Sequence, residues 1–201
     1  ETALYGSGSQ IDLAYPMLVG VTPPELKQAV TEKLFYETQV RQTGHIGCGL
    51  VGVPVVTGWA VNNNQPDFLY GMLKKRDIPS YLYMIDNGGT TTWEYWKGSR
   101  SYIHNCYNGI GSWFYQGIGG IRPDDSFSGY RRTWIQPQIP NGVTWAKTKV
   151  QTPYGFISVD WKLTNGQTEM NVNLPVGCTA RVPAGEKIIT LESGKHRIKL
   201  N

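Results

Sequence analysis

The sequence predicts an α+β chain in two parts: a helical segment over residues 1–123 that reads as a piece of a larger helical barrel, and an antiparallel β-sandwich over residues 124–201. Two observations predict it. Apolar residues recur every three to four positions as far as Ile118, then alternate from Tyr130 onward, the periods of a helix and of a strand with one buried face. Turn signals also punctuate the second part at short intervals, as in all-β domains. With 201 residues, 40% of them hydrophobic, the chain can fill one medium domain or two small ones, each with a core.

Taken in order, Ile11 to Arg41 is helical, with Pro23-Pro24 where a helix begins and Leu26, Val30, Leu34 and Val40 on one side. A second helix runs from about Leu50 to Val61 and is stopped by Asn62-Asn63-Asn64. A third starts near Pro66, carries Phe68, Leu69, Met72 and Leu73, and ends before Pro79. The run from Tyr81 to Trp96 is expected as a non-helical connection. Tyr102 to Ile118 has helical spacing again, with Gly109, Gly111 and Gly117 inside it. Glycines in a helix cost about 1 kcal/mol each relative to Ala, so they are expected where another backbone or a ligand comes close. Several helices with nearly continuous apolar faces need more partners than this chain supplies.

The β-rich runs are Tyr130–Ile135, Val143–Val150, Gly155–Leu163, Gln167–Leu174, Thr179–Val182, Ile188–Leu191 and Lys195–Leu200. Asn165-Gly166, between two alternating runs, is a strong hairpin signal. Short strands of this kind separated by turns suggest a small sandwich.

Composition narrows the function classes. Aromatic residues make up 12% of the chain, with Trp 7 and Tyr 12, and charged residues only 17%. A ligand surface built from these works by stacking and neutral hydrogen bonding, as sugar sites do. The formal charge is +4, but the Lys and Arg residues are scattered along the sequence. The longest basic cluster, Lys74-Lys75-Arg76, sits where a helix ends and suits the helix dipole; no basic stripe with interleaved aromatics predicts nucleic-acid binding. Cys48, Cys106 and Cys178, an odd number at wide spacings, fit neither a disulfide framework nor a zinc site; they are expected as small buried residues, with one bridge between two of them the alternative. No apolar run approaches the ~20 residues of a membrane span. The start, Glu1-Thr2-Ala3-Leu4, has neither an initiating Met nor a signal-peptide core, so the chain is expected to begin inside a longer protein.

The densest candidate for chemistry is Tyr81 to Trp96, which holds Asp86, Glu94, three threonines, Gly88-Gly89 and the aromatics Tyr81, Trp93, Tyr95 and Trp96. On residue types alone, Glu94 is more often a paired surface carboxylate framed by anchoring tryptophans. Glycoside hydrolysis, however, uses two carboxyl groups flanking the scissile bond, with ring faces and hydrogen-bond partners to hold the sugar. A Glu between two tryptophans supplies half of that arrangement.

Gly44-His45-Ile46-Gly47-Cys48-Gly49-Leu50-Val51-Gly52-Val53-Pro54, Pro79-Ser80-Tyr81-Leu82-Tyr83 and Gly88-Gly89-Thr90-Thr91-Thr92-Trp93-Glu94-Tyr95-Trp96 occur in that order. They are followed by Ser101-Tyr102-Ile103-His104, Gly111-Ser112-Trp113-Phe114-Tyr115, Gly120-Ile121-Arg122-Pro123-Asp124, Gly142-Val143-Thr144-Trp145-Ala146-Lys147 and Thr152-Pro153-Tyr154-Gly155. In order and spacing these motifs resemble the late part of bacterial α-L-rhamnosidases of the glycoside hydrolase family 78 type. The resemblance covers nearly the whole chain. It implies an (α/α)6-type barrel followed by a β-sandwich, and inverting hydrolysis of terminal α-L-rhamnosides by a Glu general acid and a second Glu that activates water. Glu94 matches the second, His104 matches a sugar contact, and Trp93, Trp96 and Tyr81 are candidate walls for the sugar ring. The implied partners are a rhamnose-containing glycan or glycoside and the upstream part of the same protein, where the family keeps its general acid. Alone, this chain is expected to be inactive.

The connection from Trp96 to His104 is shorter than usual in the family, and Ile103 replaces the customary Asn. No motif calls for a metal or an organic cofactor. Polysaccharide-degrading relatives are often exported to the periplasm or beyond, and the sequence itself does not fix the compartment. Two other readings remain: a non-catalytic carbohydrate-binding module with Trp134, Trp145 and Trp161 as platforms, and a degenerate relative with only a structural role. His45 reads as a backbone-bonding residue and His196 as a surface one.

Overall fold

The computed structural model describes residues 5–200. Glu1 to Leu4, on which the expectation of a longer chain rests, lie outside the described residues. Two units follow each other, one ending at Ser112 and the next beginning at Trp113.

In the first unit, helix α1 (Gln10–Leu18) is capped by Ser9, whose hydroxyl accepts from the Asp12 N–H. It ends at Gly20, where φ is +76° and glycine carries no steric penalty. After a 3-10 turn at Pro24–Leu26 comes α2 (Lys27–Tyr36), which widens into a π-helical turn over Glu37–Arg41. Helices α3 (Gly52–Asn62) and α4 (Pro66–Leu73) start and stop close to where the sequence places them. Phe35, Trp59 and Phe68 pack edge to face with centroids 5.2–6.1 Å apart, joining α2, α3 and α4. The buried Gln10 amide donates to Thr38 Oγ1 and to the His45 carbonyl and accepts from the Gly47 N–H, so α1 is tied to the 38–47 loop by satisfied polar contacts. His45 is buried, with ring nitrogens 3.0 Å from the Gln42 carbonyl and from Asp77.

Two stretches differ from expectation. Tyr81–Asp86 forms a short helix, α5, capped by Ser80, whose hydroxyl accepts from the Tyr83 N–H; the Ser N-cap outweighs the turn-like composition that follows it. Tyr102 to Tyr107 is not helical. The rest of the predicted helix does form, as a 3-10 turn at Asn108–Ile110, α-helical residues 111–112 and a π-helix at Trp113–Ile118. Gly109 stands where another backbone comes close, as expected: a Cβ there would meet Pro54 at 2.8 Å.

The second unit is a sandwich of two four-stranded sheets. One has strand order β1 (Ile121–Pro123), β2 (Arg132–Ile135), β6 (Thr179–Ala184), β7 (Lys187–Leu191). The other runs β3 (Trp145–Thr152), β4 (Gly155–Thr164), β5 (Gln167–Leu174), β8 (Gly194–Leu200). Strand β1 lies before residue 124, where the sequence puts the start of this domain; three residues ending in Pro are too short to show an alternation. All pairings are antiparallel except β2 with β6. Asn165 and Gly166 both have positive φ, 50° and 79°, and join β4 to β5 by the predicted tight turn. Ile121, Ile135, Ile157, Val159, Met170 and Val182 form one core shared by both sheets. Trp161 lies in that core and donates from Nε1 to the Ile118 carbonyl at 2.7 Å. It therefore offers no platform. Trp134 is half-buried under the Arg181 guanidinium, while Trp145 is 61% exposed. Cys48, Cys106 and Cys178 are free thiols, and only Cys178 is fully buried; the 48 and 106 sites are half-buried.

Asp124 fixes the β1–β2 connection. Arg132 Nε donates to its carboxylate at 2.6 Å and the Ser126 N–H at 3.0 Å. The Arg132 bond, then the Ser126 bond, bring its carboxyl from the usual 3.8 down to about 2. A depressed value stabilises the fold above 3.8, and that contribution is lost as pH falls toward 2. The stability gap between the wild type and Asp124→Asn is accordingly expected to shrink through that window in denaturant titrations. A gap independent of pH would contradict the linkage.

Candidate active site

The Tyr81–Trp96 run is positioned from both ends. Helix α5 stops at Gly88-Gly89: Gly88 has φ +83°, its N–H donates to the Ile85 carbonyl, and the Gly89 N–H donates to the Met84 carbonyl at 2.7 Å. This is a glycine helix stop that satisfies carbonyls of the last turn. The chain then runs beside residues 101–104 and pairs with them. The Glu94 N–H donates to the Ser101 carbonyl and the His104 N–H to the Thr92 carbonyl, each at 2.9 Å. The Thr92 hydroxyl bonds the His104 carbonyl at 2.5 Å and lies 2.6 Å from Asn108 Oδ1, and Thr91 donates to the Tyr102 carbonyl.

Trp93 is buried at 4% exposure, edge to face with Tyr102 at 5.0 Å. Gly89 and Gly98 make room for its indole, since a Cβ on either would come within 3.2 Å of the ring. Its faces are used inside the protein, so it presents no wall to a sugar. Trp96 stacks on Tyr107 with centroids 3.8 Å apart and meets Tyr81 at 84°. Tyr81 donates its hydroxyl to the Tyr107 carbonyl at 2.8 Å. Burial pushes its phenol well above the usual range, which keeps it a proton donor.

A pocket of about 600 Å³ opens here, lined by Tyr81, Ile85, Thr92, Ile103, His104 and Asn108 among others. That volume is in the ~300–1,000 Å³ range of small-molecule sites. Of the five residues singled out from the sequence, Tyr81 and His104 line it, whereas Glu94, Trp93 and Trp96 do not. His104 Nδ1 accepts the Cys106 N–H at 3.0 Å, so the neutral ring carries its proton on Nε2 and can donate it. Glu94 lies two residues beyond Thr92. Its carboxylate is 25% exposed, with Oε2 accepting the Ser101 N–H at 3.3 Å and Oε1 lying 3.5 Å from Arg100. Arg100, Asn105 and Asn108 are absent from the sequence reading; they lie in irregular backbone, where no periodicity marks them. Among the described residues no group of three or more His, Cys, Asp or Glu is placed to hold a metal ion.

A helical unit with this pocket is followed in the chain by a β-sandwich. Residues 1–118 match the bacterial alpha-L-rhamnosidase 6 hairpin glycosidase domain and residues 120–197 the bacterial alpha-L-rhamnosidase C-terminal domain. The chain belongs to the bacterial alpha-L-rhamnosidase family. An alpha-L-rhamnosidase of Alteromonas sp. is 30% identical over 165 residues, which are 76% of this chain and 18% of that protein. One from Formosa agariphila is 28% identical over 181 residues, 87% of this chain and 19% of its own length. The chain thus spans about a fifth of the length of these curated relatives. Among solved structures, the alpha-L-rhamnosidase of Aspergillus terreus superposes with a TM-score of 0.89 at 27% identity, over 98% of this chain and 25% of that one. The Streptomyces avermitilis enzyme, solved with L-rhamnose, gives 0.87 at 24% identity, over 99% and 23%.

Tyr81→Phe is expected to cost about 0.5–1.5 kcal/mol, the net worth of one hydrogen bond, measured by urea unfolding. Unchanged stability would mean that the Tyr107 carbonyl finds another donor.

Proposed function

We propose that this chain supplies the water-activating half of an inverting α-L-rhamnosidase, with Glu94 as general base and the general acid in protein outside this chain. The observation that carries the reading is the pairing of residues 92–94 with 101–104 in a chain of this family: Thr92 and His104 line the pocket, and Glu94 lies two residues farther along the same paired segment. Glu94 takes a proton from water as its oxygen bonds to the anomeric carbon. The glycosidic C–O bond breaks on the opposite face, and the leaving oxygen receives a proton from the general acid. That geometry needs the two carboxyl groups ~6.5–9.5 Å apart, with the water between.

The neighbours of Glu94 suit a base that stays in place: Arg100 and the Ser101 N–H bond its oxygens, and a quarter of it remains open to water. His104 Nε2–H donates to a ring hydroxyl. The apolar wall for the methyl group of a 6-deoxy sugar passes from the tryptophans to Ile85 and Ile103, which line the pocket and are 60% and 79% exposed. Tyr81 holds the Trp96–Tyr107 stack behind it.

In the complete protein, Glu94→Gln is expected to lower kcat on an aryl α-L-rhamnoside by about 10²–10⁴ with unchanged folding. Azide, which needs no base, should restore turnover and give the inverted glycosyl azide. Near-normal turnover without azide would remove Glu94 from the mechanism. His104→Ala should reduce kcat/KM by roughly 2- to 10-fold, the worth of one neutral hydrogen bond, with partial recovery in His104→Gln; equal rates in all three forms would exclude the contact.

A further inference from the structure

The outer face of the sheet β3-β4-β5-β8 gathers residues far apart in sequence into rungs. Strand register aligns Lys147, Asp160, Asn171 and Arg197 across the four strands, then Lys149, Ser158, Asn173 and Lys195, then Trp145, Lys162, Glu169 and Lys199. The two middle strands carry Ser158, Asp160, Glu169, Asn171 and Asn173 with a single cation, Lys162. Both edge strands are cationic. Counting these rungs, six Lys or Arg face two carboxylates, an excess of four that equals the formal charge of the whole chain, +4. Glu169 already pairs with Arg197 and Lys199 at 3.2 and 2.7 Å. Lys147, Lys162 and Lys195 form no ion pair among the described residues.

Two hollows of about 430 and 560 Å³ lie on this face and share Ser158, Asp160 and Asn173. The side chains of Ser158, Asp160, Asn171 and Asn173 make no hydrogen bond within the described chain, so their donors and acceptors are available. Exposed rings stand at the ends: Phe156 with the Lys149 ammonium 3.6 Å from its centroid, and Trp145.

We propose that this face binds an acidic polysaccharide, a polymer of uronate units, at a site separate from the His104 pocket. The edge ammonium groups pair with uronate carboxylates, the Asn, Ser and Asp side chains bond sugar hydroxyls, and Phe156 and Trp145 take ring faces. Charge complementarity selects the class. A neutral glycan would leave the cationic edges unused, and duplex DNA, which has no free sugar hydroxyls, would leave Ser158, Asp160, Asn171 and Asn173 without their hydrogen-bond partners. The site does not depend on Glu94 acting as base.

The test is affinity electrophoresis of the complete protein in gels containing polygalacturonate, dextran or double-stranded DNA. Retardation is expected with polygalacturonate, weakening with added salt, and little or none with dextran or DNA. A Lys147→Glu, Lys149→Glu, Lys195→Glu variant should bind polygalacturonate about tenfold or more weakly, since it loses several exposed charge pairs, with unchanged kcat/KM on a small aryl α-L-rhamnoside. The milder Lys147→Gln, Lys195→Gln variant covers a folding failure and should show a smaller loss in the same direction. Equal retardation of wild type and variants, equal retardation in dextran or DNA, or none in polygalacturonate because another part of the protein covers the face, would each overturn the proposal. Glu94→Gln should bind polygalacturonate like the wild type, so the two readings fail separately.

Discussion

The backbone pairing of residues 92–94 with residues 101–104 is the constraint on which the candidate site depends. Two N–H to carbonyl bonds of 2.9 Å hold an otherwise irregular loop in register. That register puts the Glu94 carboxylate against the Ser101 N–H and the Thr92 hydroxyl against the His104 carbonyl. It also sets the His104 ring beside the Cys106 N–H that selects its tautomer. Loops carry function when a rigid frame positions them. Here the frame is partly made by the loop itself.

Tryptophans and glycines complete that frame in a division of labour. Trp93 fills the space that Gly89 and Gly98 leave by lacking a Cβ, and Trp96, Tyr107 and Tyr81 form a stacked and crossed cluster with a buried hydroxyl bond. Ring pairs of this kind are worth about 0.5–1.5 kcal/mol beyond their burial. The aromatic density that marks the segment in the sequence serves mostly to hold the loop. The pocket itself is lined mostly by smaller groups, threonines, asparagines, one imidazole and two isoleucines, with Tyr81 as its one aromatic ring besides the imidazole.

The sandwich distributes its residues by a simpler rule. Alternation along β3, β4, β5 and β8 sends Ile157, Val159, Met170 and Val172 inward and polar or charged residues outward. Register then decides which outward residues become neighbours. Lys and Arg residues that are scattered in the sequence become the two edges of one face, because β3 and β8 are the outer strands of the same sheet.

By itself the sequence determined the α+β class, the helices α3 and α4, seven of the eight strands and the Asn165-Gly166 turn. Periodicity and turn chemistry are local signals, and these elements obey them. The ordered motifs also determined the family, and with it the choice of Glu94 and His104 as candidates. The Tyr81–Asp86 helix follows from a local cap at Ser80, masked by the turn-like residues after it, whereas tertiary structure alone decided that Tyr102–Tyr107 is not helical. It alone decided that Trp93 and Trp161 are core, that Arg100 and Ser101 attend Glu94, and that six cations share one sheet face. These are relations between residues distant in sequence or in irregular backbone. Packing and register set them, and neither leaves a periodic trace in the chain.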